Sequence, residues 1–265
     1  MELKFEHQSF FKRLKSMLVV DFRRMLTMPL LYIMAGTSLV IPILVLVMTT
    51  MFDGSTSVNP QTGVETTIEG FDNTWQGIAA LSGAPMSMDL TSMCNINLVF
   101  FMIAVLICIF IAADFRSGYS KILFTVRAKR ADYVVSKVFV SFVGSLIMLW
   151  AYFLGTVIGG AISGLSFDLG IAGVSGLVMC MLAKSFLLLV FVGLYVLMGV
   201  IAKDKLWLSL VASMMSSMLL FMMIPMLTPL DSTITNVVLC LIGGVIFAII
   251  LGVVSNVLLK NKDLV

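Results

Sequence analysis

The sequence predicts an all-α integral membrane protein: six transmembrane helices, an amphipathic N-terminal helix at the interface, and both termini cytoplasmic. Three observations predict it. Apolar residues make up 60% of the chain and charged residues 12%, with a mean hydropathy of +1.10, whereas a soluble domain is roughly 45–50% apolar and 25% charged. Six stretches meet the length of about 20 apolar residues that a hydrocarbon core of roughly 30 Å requires. Sixteen of the seventeen lysines and arginines fall on one side of that pattern, and cytoplasmic loops are the ones that collect such residues. Residues 1–28 read as a cytoplasmic connecting helix and residues 29–265 as the transmembrane domain.

In residues 10–26, apolar side chains recur at Phe10, Phe11, Leu14, Met17, Leu18, Phe22 and Met25, which is helical spacing. Lys12, Arg13, Lys15, Arg23 and Arg24 lie mostly on the other face. A basic amphipathic helix beside a span lies in the interface, its bases toward anionic headgroups. Pro29 suits the first turn of the helix that follows.

The spans are expected at residues 29–52, 95–113, 134–162, 182–202, 206–227 and 237–259, and none carries Asp or Glu in its interior. The first is too long for a signal-peptide core and is not followed by a small-residue cleavage site. The third is long enough to tilt, or to begin as a cytoplasmic turn around Lys137.

Charge sets the orientation. Six bases precede the first span, and six more run from Arg116 to Lys137, both included. Lys203 and Lys205 precede the fifth span, and Lys260 and Lys262 follow the sixth. The external segment 53–94 has no base and five acids, Asp53, Glu65, Glu69, Asp72 and Asp89. Its turn signals, such as Asp53-Gly54 and Asn59-Pro60, argue against one long helix. It could cap a dimer externally or attract a cationic peptide.

Lys184 is the exception to the count, standing near the external face. It could snorkel to the interface, pair with an external acid such as Asp168, or line a substrate path. A central lysine costs about 2.5–3.5 kcal/mol on insertion scales, so the expected solution is a fourth span that starts after it.

The loop after the second span carries the strongest pattern. The order Asp114-x-Arg116-x-Gly118-x-x-Lys121, a basic cluster, and Tyr133-x-x-Ser136-Lys137 implies a helix broken at Gly118 and a short transverse segment. That segment offers Ile122, Leu123 and Val126 on one side.

This loop resembles the intracellular coupling segment of type-2 ATP-binding-cassette (ABC) exporter permeases, and the helix before the first span is similar to that family's connecting helix. The resemblance covers essentially the whole chain, and its closest flavour is the compact bacterial permeases of peptide-antibiotic export or immunity. It implies a dimer of permease subunits in the cell membrane, homo- or heteromeric, each docking a cytosolic ATPase through residues 114–133. The docking residues it implies are Gly118, Tyr119, Lys121, Ile122, Leu123, Val126, Arg127 and Arg130. The chain departs from some relatives in placing its large external segment between the first two spans and in a short link around residues 228–235.

The chain has no Gly-x-x-x-x-Gly-Lys-[Ser/Thr], so no P-loop cradles a nucleotide here; ATP and Mg²⁺ would belong to the partner subunit. Partners are the bilayer, a second permease subunit and the ATPase, not nucleic acid. The alternative is a carrier driven by an ion gradient, which usually keeps ionisable groups inside its bundle; the span interiors here lack carboxylates and histidine. A catalytic or scaffold role is a third reading. Gly173-Val-Ser175-Gly matches the Gly-x-Ser-Gly of rhomboid proteases, but a serine nucleophile needs a base, and His7 lies on the opposite side.

The fifth span places Met214, Met218 and Met222 at every fourth position, with Ser213 and Ser217 beside them. Methionine adapts to varied apolar partners, which makes this face a candidate amphiphile path, with plain helix packing as the other reading. Gly155, Gly159, Gly160 and Gly164, and Gly244, Ala248 and Gly252, form small-residue stripes suited to close helix approach. Cys94, Cys108, Cys180 and Cys240 show no metal-ligand spacing.

Overall fold

The computed structural model describes residues 10–58, 65–67, 70–79, 95–126, 130–170 and 173–261. Nine helices run through them: α1 (Phe10–Thr27), α2 (Pro29–Met51), α3 (Leu98–Arg116), α4 (Tyr119–Val126), α5 (Arg130–Ser163), α6 (Gly173–Ala202), α7 (Leu206–Phe221), α8 (Met223–Leu227) and α9 (Ile234–Asn261). The amphipathic helix stands where its period places it. Within lipid, backbone N–H and C=O groups must pair inside their own segment, which leaves helix as the solution for long apolar stretches.

Five helices, α2, α3, α5, α6 and α9, are long and apolar enough to cross a membrane. The expected fifth span differs. It is divided: α7 has 16 residues, about 24 Å of rise, and α8 resumes after a break at Met222. Pro225 accounts for the break, since it has no N–H for the Phe221 carbonyl and its ring crowds that carbonyl. Among the described residues there are therefore five continuous span candidates and one interrupted apolar helix.

The expectation that the fourth span starts after Lys184 is overturned. Helix α6 begins at Gly173, whose φ of +60° suits glycine, and Lys184 lies eleven residues inside it with no exposed surface. Its ammonium has no need to reach water because Asn97 Oδ1 (2.8 Å) and Thr228 Oγ1 (2.9 Å) accept its hydrogen bonds within the bundle.

Helix α3 is the centre of the bundle, with Val99, Ile103, Ala104, Leu106 and Ile107 fully buried. It touches α2, α5, α6 and α7. Two long pairings flank it, α2 with α5 and α6 with α9, and the glycine stripes make both possible. A Cβ on Gly159 would stand 2.9 Å from Ile43 Cα, and one on Gly244 2.7 Å from the Phe186 carbonyl oxygen. Gly164 is the exception: it meets nothing within 4 Å, and its φ of +69° ends α5 instead. Large apolar side chains remain exposed along α2, α7 and α9, as expected of lipid-facing helices.

Met17 of α1, Tyr133 and Val134 of α5, Val200 of α6 and Leu259 of α9 share one buried cluster. The amphipathic helix, α4, the start of α5 and the last turns of α9 thus gather at one end, here the basic end. At the opposite end, residues 56–58 and 65–67 form a short antiparallel ribbon, and Thr74–Gly77 make a 3₁₀ turn. That turn packs on the bundle of its own chain: Trp75 stacks on Phe153, and the Ile96 N–H donates to the Gly77 carbonyl.

Candidate functional site

The amphipathic pattern of α1 leads directly to the site. Met17, Asp21 and Met25 recur at i+4 and are the buried residues of this helix, so a carboxylate lies on the stripe that faces the bundle. An isolated buried charge is costly and needs a partner. Asp21 Oδ1 accepts from Lys137 Nζ at 2.9 Å and its Oδ2 from the Ser136 hydroxyl at 2.6 Å. Lys137 also stands 2.7 Å from Asp114 Oδ2, and all three charged side chains have no exposed surface.

Asp114 ties in the remaining elements. The Tyr133 hydroxyl donates to its Oδ2 at 3.0 Å, and Arg24 Nη1 stands 2.7 Å from its Oδ1. That last contact is Coulombic, since its angles fall outside the hydrogen-bonding range. The Arg24 guanidinium also lies over the Tyr119 ring, 4.1 Å from its centre, and Lys137 sits 3.9 Å from the centre of the Phe110 ring. Cation–π contacts of this kind strengthen where water is excluded. Burial pushes the Tyr119 phenol above its usual range, with the Asp21 carboxylate adding to the effect. Two cations and two carboxylates balance. A second lash, Arg13 Nε to Asp132 Oδ2 at 3.0 Å, joins α1 to the start of α5.

Four elements converge here: α1 through Asp21 and Arg24, α3 through Phe110 and Asp114, α4 through Tyr119, and α5 through Tyr133, Ser136 and Lys137. Nothing in the set resembles a nucleophile with its base, and no group of three potential metal ligands occurs among the described residues. Tyr119 of α4 meets Arg24 of α1, which reaches Asp114 of α3, which in turn accepts from Tyr133 of α5, so one network joins the four elements.

The coupling residues divide between inside and outside. Gly118 has φ +71°, the left-handed turn that ends α3 and starts α4. Leu123 and Phe124 pack inward on the cluster around Tyr133, whereas Ile122 is 65% exposed. The expected common face of Ile122 and Leu123 is therefore split. Arg130 opens α5. Arg127 and the side chains of Lys121 and Val126 lie outside the described residues.

The Met–Ser face also separates. Ser213 and Ser217 are buried, with Ser213 Oγ 3.2 Å from Cys108 Sγ of α3, and Met214 packs against the core. Met218 and Met222 point outward at 71% and 51% exposure. The serines and the outward methionines are one residue out of phase, about 100° around the helix, and Met214, a turn before Met218, is half-buried between them. Ser175 sits on the same helix as Lys184, nine residues earlier and about 13 Å along the axis, too far for that lysine to serve as its base.

Asp21 carries a signal that reading for bases overlooks, namely an acid in register with Met17 and Met25. Compared with known protein families, curated proteins and solved structures, the chain matches none.

Proposed function

We propose that this chain is the membrane-spanning subunit of a type-2 ABC exporter. Its basic end faces the cytosol, and α4 docks a separate subunit that binds ATP and Mg²⁺. The observation that carries this reading is the joint just described. A short helix with an exposed apolar residue, Ile122, is coupled through Tyr119, Arg24 and Asp114 to an interfacial helix and two span candidates. A rigid lever of this kind suits a groove on a partner that moves. In this reading the six crossings include α7 and α8 taken together, a second permease subunit completes the pathway, and an amphiphile passes near Met214, Met218, Met222, Ser213 and Ser217.

An Ile122→Asp variant is expected to lose co-purification with a Walker-motif ATPase subunit by at least tenfold, while its own melting temperature stays within a degree or two of the parent. Charge reversal at Arg130 should weaken the complex less. An unimpaired complex, or transport by the lone chain in partner-free liposomes, would sink the proposal.

Lys184 favours a second reading, a carrier driven by an ion gradient, because it is an ionisable group inside the bundle. Substrate uptake into partner-free liposomes that collapses with an ionophore would select that reading.

A further inference from the structure

Among the described residues two lysines are fully buried, and their surroundings differ in kind. Lys137 has two carboxylates within 3 Å. Lys184 has none among the described residues: its partners are the Asn97 side-chain carbonyl and the Thr228 hydroxyl. The Thr228 hydroxyl donates onward to the Ile224 carbonyl, and the Cys180 thiol donates to the Thr228 carbonyl. Neutral oxygens solvate an ammonium but leave its charge uncancelled. An ammonium has three N–H donors, so these two acceptors leave one to spare.

The depth makes the charge consequential. Helix α6 has 30 residues, about 45 Å, against a hydrocarbon core of roughly 30 Å. If α6 is centred in the bilayer, Lys184 lies about 9 Å inside the core. Ionisable groups at such depth mark ligand or ion sites by default.

Three separate elements meet at Lys184: α6, the residue before α3, and the residue after α8. Their polar groups are set in apolar surroundings, since Ile96, Met181, Leu188 and Ile224 belong to the same buried cluster. The break at Met222 makes α8, and Thr228 with it, a separate element from α7. A cation held by neutral groups from three separate elements is suited to an anion that comes and goes.

We infer that Lys184 is the binding residue of an anion site, which takes the phosphate or carboxylate headgroup of an amphiphile when α8 swings away. The site is closed in the present conformation. The inference stands apart from the ATPase reading, because it concerns this chain alone.

The test uses the full-length chain in phosphatidylcholine nanodiscs, with thermal unfolding followed as dodecyl phosphate, phosphatidylglycerol or inorganic phosphate is added. The parent protein should gain several degrees with an anionic amphiphile, and Lys184→Arg should keep the gain. In Lys184→Met the half-saturating concentration should rise at least tenfold. Basic residues elsewhere also attract anionic lipid, so the difference between parent and variant is the readout.

A Lys184-dependent gain with inorganic phosphate assigns the ligand to free phosphate. A gain confined to the lipid or dodecyl phosphate assigns it to a membrane amphiphile. Asn97→Asp supplies a permanent counter-charge and should abolish the gain even if Lys184→Met fails to fold. Superimposable titrations for parent and Asn97→Asp, or no gain in the parent with any anion, would overturn the inference.

Discussion

Lys137→Met is expected to lower stability by about 3–5 kcal/mol, the range for breaking a buried ion pair by removing one partner. The variant strands Asp21 and Asp114, which have no exposed surface. Asp114 would keep Arg24 and Tyr133, but Asp21 would keep only Ser136 among the partners described. Thermal unfolding of the full chain in nanodiscs should show the loss, and raised salt should not mimic it, because screening acts mainly on exposed pairs. The Arg13–Asp132 pair, with the arginine 20% and the aspartate 2% exposed, should by contrast respond to salt more than the Lys137 cluster, because its cation reaches water.

A rescue distinguishes charge from packing. Combining Lys137→Met with Asp21→Asn removes the stranded charge, leaves the Arg24–Asp114 pair balanced, and should recover much of the stability, since buried ion pairs are often replaceable without net cost. If the double variant is as unstable as the single one, the network matters through shape and not charge. If stability returns while ATP-driven transport stays absent, the cluster is a transmission element, which the proposed function requires.

The bundle was legible in the sequence because hydropathy reports burial in lipid directly, and α1 because seven apolar residues share a period of 3.6. The cluster was hidden by scale. Hydropathy averages about 20 positions, so one acid in α1 and one lysine just inside α5 vanish into their windows. Pairing Asp21 with Lys137 and Asp114 needs three-dimensional information, because 93 residues separate Asp21 from Asp114. Lys184 was misread for a related reason. The insertion cost that argued for a later helix start applies to a lysine facing lipid, and Asn97 and Thr228 remove that premise. The phase of the fifth span was visible as a Met period and a Ser period, but which of them faces α3 depends on the neighbouring helices. Pro225 was a readable breaker that a hydropathy window passes over.

Gly155→Ala should be among the most damaging single-methyl changes in the protein. The added Cβ would collide with the Leu39 carbonyl oxygen and stand 2.7 Å from Pro42 Cγ. Neither can move aside cheaply: one is backbone, and the other is a ring fixed inside α2. Overpacking a filled interior costs roughly 1–3 kcal/mol and more where nothing relaxes, and here relief requires α2 and α5 to separate along their contact. Gly159→Ala should come next, against Ile43 Cα at 2.9 Å. Gly36→Ala and Gly243→Ala are matched controls, since a Cβ there meets nothing within 4 Å, and alanine favours helix by about 1 kcal/mol over glycine. Melting temperatures of the four variants in one nanodisc composition should therefore fall into two groups, with the controls at or above the parent. A Gly155→Ala protein that melts with the controls would mean that the close approach of α2 and α5 is wrong. The position of α1 would then be in question too, because Leu31 of α2, Gly144 of α5 and Met25 of α1 pack at the same seam.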